Sequence, residues 1–330
     1  MGYCLIAHVP PIYGLYSAFF PALFYTLFGT GFHSAFGPFA IVSGVMTGDI
    51  VTQVMTQLGK DVEQNNQIKG YSFVGPLAAS TSDDFPGLLT IDVAIMVGMI
   101  IGIYIFMFGV FQLGFISNFM SEELISGFTT SASVIVFVSQ LPYLLGVDYK
   151  HFSGPFNLYY TLEEVFTRLE EINFTSLTIT GICLAILLFF KLVVNRFTTR
   201  TRIKTPFPIE LFVVIGGTIV SHVMELRKEP YNVRIVGQIG NNFPTPMSPN
   251  WKLFPIMWEK CIATAIVGYT ITLSVGKIYG KKHGYKVDPN QEMIAMGAAN
   301  MISSTFQCIP CAASLPRSAL QETAGGKTQV

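Results

Sequence analysis

The chain has 330 residues, of which 51% are hydrophobic and only 12% charged, and its mean hydropathy is +0.50. A soluble globular domain carries about 25% charged residues, so this composition argues against a soluble fold. Twenty basic residues balance twenty acidic ones, which argues against nucleic acid as a partner.

Where the charges fall says more than how many there are. From Met1 to Gly48 there is no Asp, Glu, Lys or Arg, and Val93–Ser121, Leu124–Val147, Ile172–Phe190, Cys261–Gly276 and Met293–Pro316 are likewise uncharged. A helix needs ~20 apolar residues to cross the hydrocarbon core of a bilayer. Several of these runs are long enough and one is too short, so some spans must be broken. Buried helices of a large soluble protein would show a polar face at helical period, and these runs are apolar all round. In chain order the sequence predicts spans at 1–9, 12–29, 38–53, 92–118, 124–146, 174–193, 206–224, 256–276, 291–307 and 316–330, with a surface helix at 157–171. Pro10-Pro11, Gly29–Gly37 and Pro142 mark breaks or kinks.

Segments 191–204 and 277–286 are basic with no acid. Alternating spans put both on one side, which the positive-inside rule makes cytoplasmic, with the N-terminus on that side too. The segments 54–91 and 148–171 are net acidic and face the other way, and the mildly basic 225–260 blurs the pattern. Asn173-Phe-Thr175 is a glycosylation sequon on the outer side, close against the next span. Cys308-Ile-Pro-Cys311 has redox-motif spacing, but a single such pair after a membrane span reads as small apolar residues, so no metal or cofactor is expected.

Two places carry a repeated theme. His33–Gly37 is a short stretch of small residues from which Pro38 opens an apolar helix, and Cys311–Leu315 precedes Pro316 in the same way. Proline suits the first helical position because its missing N–H would be unpaired there. Both helices would start at membrane depth after a short extended segment, which is tolerated only where protein or a cavity covers the backbone. Half-helices at matching places in two halves point to a transporter's binding site, and their N-termini favour an anion. Arg317 adds a full positive charge at the second start, and an ionisable residue in the membrane is a functional candidate by default. Without further information Tyr3 and Phe39 read equally as packing residues, Pro38 and Pro316 as plain helix starters, and Arg317 as an interfacial side chain.

Four passages resemble the SulP family of anion transporters: Val9–Pro21 with Phe28-Gly-Thr30; His33–Ala40; Gly127–Ala132 with Ser139–Leu141 and Leu144–Gly146; and Asn290–Glu292 through Arg317-Ser318 to Gln329. The animal branch of that family includes exchangers of chloride, bicarbonate, sulfate and oxalate, and the motor protein prestin. The resemblance implies an all-α inverted-repeat fold of seven plus seven helices, as in UraA-like transporters, followed by a cytoplasmic STAS domain. Residues 1–330 would be a partial transmembrane domain, the first repeat and the start of the second, with about ten spans. Such a fragment is expected not to transport alone.

Carried over by position, the resemblance places Tyr3, Phe39, Arg317 and Ser318 around the anion, supported by the half-helix starts Pro38, Ala40 and Pro316. Tyr3 would donate its hydroxyl, and Phe39 would offer its positive ring edge. Pro316 stands where animal members often have serine, which removes a hydroxyl and a backbone donor. The span Cys261–Gly276 has no carboxylate, where proton-coupled members place one, so exchange is expected over proton symport. The function implied is a secondary exchanger of small anions in the plasma membrane, homodimeric in the full-length protein. A prestin-like voltage-driven motor and an anion channel are the alternatives. No P-loop, paired catalytic carboxylates or Ser/His/Asp constellation points to an enzyme.

Overall fold

The computed structural model describes residues 2–58, 88–118, 122–147, 157–190, 192, 209–233, 235–236, 243–323, 325–326 and 328. The basic residues of 191–204 and most of the loop 54–91 lie outside these. Helix α1 spans Gly2–Ile6 and α2 spans Ile12–Phe28, separated by the Pro10-Pro11 break. After Gly29 the chain passes through a turn at Phe32-His33 into strand β1 (Phe36–Gly37), then a π-helical stretch (Ala40–Met46) that continues as α3 (Thr47–Gln57). Then come α4 (Thr90–Val110), α5 (Glu122–Leu145), α6 (Asn157–Thr167), α7 (Phe174–Phe189) and α8 (Ile209–Val223). The last part comprises α9 (Phe254–His283), α10 (Pro289–Thr305), strand β2 (Ala312–Ala313) and α11 (Leu315–Thr323).

Most spans fall where hydropathy puts them, and five boundaries need correction. The span read as 92–118 is two elements. Helix α4 stops at Val110, Gln112 takes a left-handed φ of 56°, and a 3-10 turn follows at Leu113–Asn118. The Asn290 side chain accepts the Gly114 N–H at 2.8 Å, so a tertiary bond holds that break. The span read as 256–276 runs on to His283. Lys281 and Lys282 favour the negative helix end, and Gly284 closes it in the left-handed region at φ 76°. The final span, read as 316–330, is a nine-residue helix ending at Thr323. Finally, the first half-helix starts at Ala40 behind an extended Phe39, two residues after Pro38, and the second starts at Leu315, one residue before Pro316.

The centre of the fold is the pair α4 and α10. A Cβ on Gly102 would sit 2.7 Å from the Met301 amide nitrogen, and one on Gly109 would sit 2.9 Å from that of Ile294. Across the seam, Gly297 lies directly against the Phe106 backbone. Small residues let the two backbones approach, the usual way of packing helices where no water drives association. Helix α9 completes this core with Met257, Cys261, Ala265 and Leu273, all at most 2% exposed. Helix α7 buries none of its residues, and Phe174, Leu188 and Phe189 stand exposed on it. Helix α8 likewise exposes Val214 and Val223. Apolar helices with no polar outer face suit lipid rather than water. Helix α4 and the 251–283 segment are long and apolar enough to cross a bilayer.

Candidate functional site

Strands β1 and β2 pair antiparallel, with Phe36 opposite Ala313 and Gly37 opposite Ala312. Each leads straight into a half-helix, so the starts of both half-helices are brought together.

Extended backbone inside a bilayer must find partners for its amides and carbonyls, and here side chains of the surrounding helices supply them. On the β2 segment the Ile309 N–H donates to Ser17 Oγ at 2.9 Å, the Cys311 N–H to Asn300 Oδ1 at 2.8 Å, and the Ala313 N–H to Thr272 Oγ1 at 3.0 Å. Asn300 Nδ2 returns a bond to the Cys311 carbonyl at 3.0 Å. In the loop that leads into β1, outside the strand itself, the Thr30 and Gly31 amides donate to one carboxylate oxygen of Glu292 at 2.6 and 2.9 Å, and the His33 N–H donates to the Tyr285 hydroxyl at 3.3 Å. Ser43 Oγ accepts the Phe39 N–H at 2.8 Å and donates to the Pro310 carbonyl, tying one crossing segment to the other.

The residues singled out by sequence sit as follows. Arg317, partly exposed in the first turn of α11, lays its guanidinium against Gly37 and donates through Nη2 to the Pro38 carbonyl. Pro38 is thus an acceptor on the approach to the half-helix rather than its opening residue. Phe39 is 8% exposed and caps the π-helical stretch in an extended conformation, with Ala40 the first residue of that stretch. Ser318 is fully buried, and its Oγ accepts the Ala35 N–H at 2.9 Å. Tyr3 is 36% exposed on α1, the short helix that packs through Ile6 against Gly44 and Gly48. Pro316 is exposed, the second residue of its helix. Arg317, Pro38 and Phe39 therefore come together, with Ser318 one residue behind. Tyr3 is not hydrogen-bonded to any of them, and α1 lies alongside the first half-helix.

Sequence reading missed Ser17, Ser43, Thr272 and Asn300. Each is a small polar residue in an otherwise uncharged, largely apolar run, which was the available signal, but no local spacing says which amide it meets. Cys308 and Cys311 are buried free thiols.

Two crossing strands leading to facing half-helices define an inverted-repeat membrane transporter fold. The chain belongs to the sulfate permease family, whose model matches residues 1–330. It is 37% identical to human prestin over 330 residues, covering 100% of this chain and 42% of prestin. It is 36% identical to the sulfate transporter of Bos taurus, covering 100% of this chain and 44% of the relative. The structure of murine Solute Carrier 26 family member A9, an anion transporter in its inward-facing state, superposes with a TM-score of 0.83 at 28% identity, covering 99% of this chain and 51% of that one. The chain therefore spans less than half the length of these two curated relatives.

Proposed function

We propose that residues 1–330 form an anion-transport domain and that the protein is a secondary exchanger of small anions such as chloride, bicarbonate, sulfate or oxalate. The observation that carries this reading is Arg317, a fixed positive charge beside two half-helix starts. Helix N-termini contribute only about half an elementary charge each, so the guanidinium is the dominant attraction for an anion. Its bond to the Pro38 carbonyl leaves further N–H donors of the guanidinium to face a ligand. Phe39 would present its ring edge and Tyr3 its hydroxyl, while Ser318, with its oxygen taken by Ala35, retains a proton to donate. Pro38, Ala40 and Pro316 shape the two half-helix starts.

We further propose a plasma-membrane location and a homodimeric full-length protein, and the basic segments 191–204 and 277–286 support a cytoplasmic N-terminus. The test is uptake of labelled sulfate or oxalate into cells expressing the full-length protein, driven by a chloride gradient. Uptake equal to that of mock-transfected cells overturns the reading. The likeness to prestin supports a second reading, a motor in which the bound anion senses the membrane field. Voltage-dependent capacitance without net uptake would select it.

A further inference from the structure

One carboxylate and one amide on α10 hold the backbone just before each crossing strand. Glu292 is 1% exposed. Its Oε1 accepts from the Thr30 N–H at 2.6 Å, the Thr30 hydroxyl at 2.6 Å and the Gly31 N–H at 2.9 Å. Its Oε2 accepts from the Tyr25 hydroxyl at 2.6 Å. Carboxylates buried without a cation are costly unless hydrogen bonds replace water, and here four donors do so. Asn300, also 1% exposed, clamps both the N–H and the carbonyl of Cys311.

The two residues stand eight positions apart on one helix, about 12 Å along its axis. That helix is pressed backbone to backbone against α4 through Gly297 and Gly102, so it is a rigid mount. Gly31 lies five residues before β1, and Cys311 directly precedes β2. Tyr25 adds a second tie, because its ring stacks on Phe36 of β1 at 4.6 Å. The register of the two strands, and with it the separation between Pro38 and Arg317, is therefore referenced to one helix.

We propose that Glu292 and Asn300 are positioning residues, acting through β1 and β2 to set the distance between the two half-helix starts and so the affinity for the anion. The proposal rests on the anion-transport reading above. Neither residue would touch the anion. A weakened mount should loosen binding and spare turnover at saturating anion.

The test is concentration-dependent anion uptake by the full-length protein, normalised to surface copies. Glu292→Met keeps the length of the side chain and removes every acceptor. It is expected to raise KM about tenfold or more, with maximal rate per surface copy close to that of the parent. Glu292→Gln keeps a carbonyl facing Thr30 and Gly31, and its amide can donate to the Tyr25 hydroxyl, so it should restore KM to within about threefold. Thr30→Val removes one donor to Glu292, with the weak acceptor of the Asp288 N–H, and Asn300→Leu removes the other clamp. Both should raise KM in the same direction, which decides the matter if Glu292→Met fails to reach the surface. Parental KM in Thr30→Val and Asn300→Leu overturns the proposal. So does a uniform loss of rate with KM unchanged, which is what a purely structural role would give. A parent that takes up no anion defeats the transporter reading instead, and that result precedes any comparison of variants.

Discussion

Arg317 and Pro38 are joined directly: the guanidinium of the second half-helix donates to the carbonyl that precedes the first. The bond links elements 279 residues apart in sequence. It fixes the positive charge at the meeting point of the two strands rather than leaving it free to reach an aqueous surface. Ser318, the next residue, repeats the arrangement one step back by accepting from Ala35. The side chains expected to meet an anion thus also hold the two crossings together.

Removing the charge should cost affinity more than fold. A hydrogen bond to a charged group is worth about 1.5–3 kcal/mol, and ~1.4 kcal/mol is a tenfold change in binding. Arg317→Gln in the full-length protein should weaken anion binding at least ~10-fold, read as anion-dependent thermal stabilisation, with helix content retained. Pro316→Ser should bind as well or better, because it restores a backbone donor and a hydroxyl. Parental affinity in Arg317→Gln would make the residue a strand clip and nothing more.

The α4–α10 seam sets a packing expectation. At Gly102 a Cβ would lie 2.7 Å from the Met301 nitrogen and 3.0 Å from the Gly297 carbonyl oxygen. Gly102→Ala must push two helix backbones apart, and overpacking of this kind costs ~1–3 kcal/mol. At Gly181 on α7 an added Cβ meets nothing within 4 Å, so Gly181→Ala should leave stability equal or slightly raised, as helix propensity favours alanine. Thermal unfolding in detergent compares the two. Equal loss at both sites would contradict the tight seam.

Much of this arrangement is legible in the sequence, and the reason differs by element. Helix α2 was read at 12–29 and lies at Ile12–Phe28, because an uncharged run bounded by Pro11 and Gly29 carries its own limits. The short strands before two half-helices follow from Pro38 and Pro316 interrupting apolar runs. The precise starts do not follow. The first shifts to Ala40, where Arg317 binds the Pro38 carbonyl and Ser43 accepts the Phe39 N–H, and both bonds depend on the tertiary path. The C-terminal reach of α9 was cut short because a basic run reads as a loop by hydropathy, whereas lysines extend a helix well. Asn173 illustrates the same limit. As a sequon it looks like a surface acceptor, yet its Oδ1 caps α7 through Thr175 and Ser176, and its Nδ2 donates to the Tyr231 carbonyl at 2.9 Å.

The orientation rests on Lys277, Lys281, Lys282 and Lys286. Gly284, exposed at the end of α9, is the site to probe. Gly284→Cys, in a background with Cys183→Ser, should react with an impermeant thiol reagent only after the plasma membrane is opened. Reaction on intact cells would invert the orientation.

The last expectation concerns protons on that same side. His33, in the loop between α2 and β1, stacks on His283 with centroids 4.0 Å apart and planes inclined by 7°. Helix α9 also presents Tyr279 and Lys282 to this cluster. Tyr285 follows on the next turn, and Glu322 comes from α11, bonding His283 at 2.6 Å and Lys282 at 2.8 Å. Burial lowers the His33 pKa below the ordinary histidine value of 6.5; the adjacent His283 lowers it further, and Glu322 opposes. A histidine with a depressed folded pKa binds more protons unfolded than folded across the interval between the two values. Its contribution to stability is therefore fully present above 6.5 and is lost as pH falls through the lower folded value. The physical cause is plain: a proton on His33 would set a cation in a buried slot against a second imidazole. Lowering the pH on that side below about 6.5 should then loosen the loop that feeds β1. His33→Gln cannot charge, and its backbone N–H can still donate to Tyr285. Thermal stability measured from pH 7.5 to 5.5 should fall more steeply for the parent than for His33→Gln, and the difference reports His33 together with its effect on the stacked His283. Parallel curves would place the His33 proton elsewhere and remove the pH sensitivity from this contact.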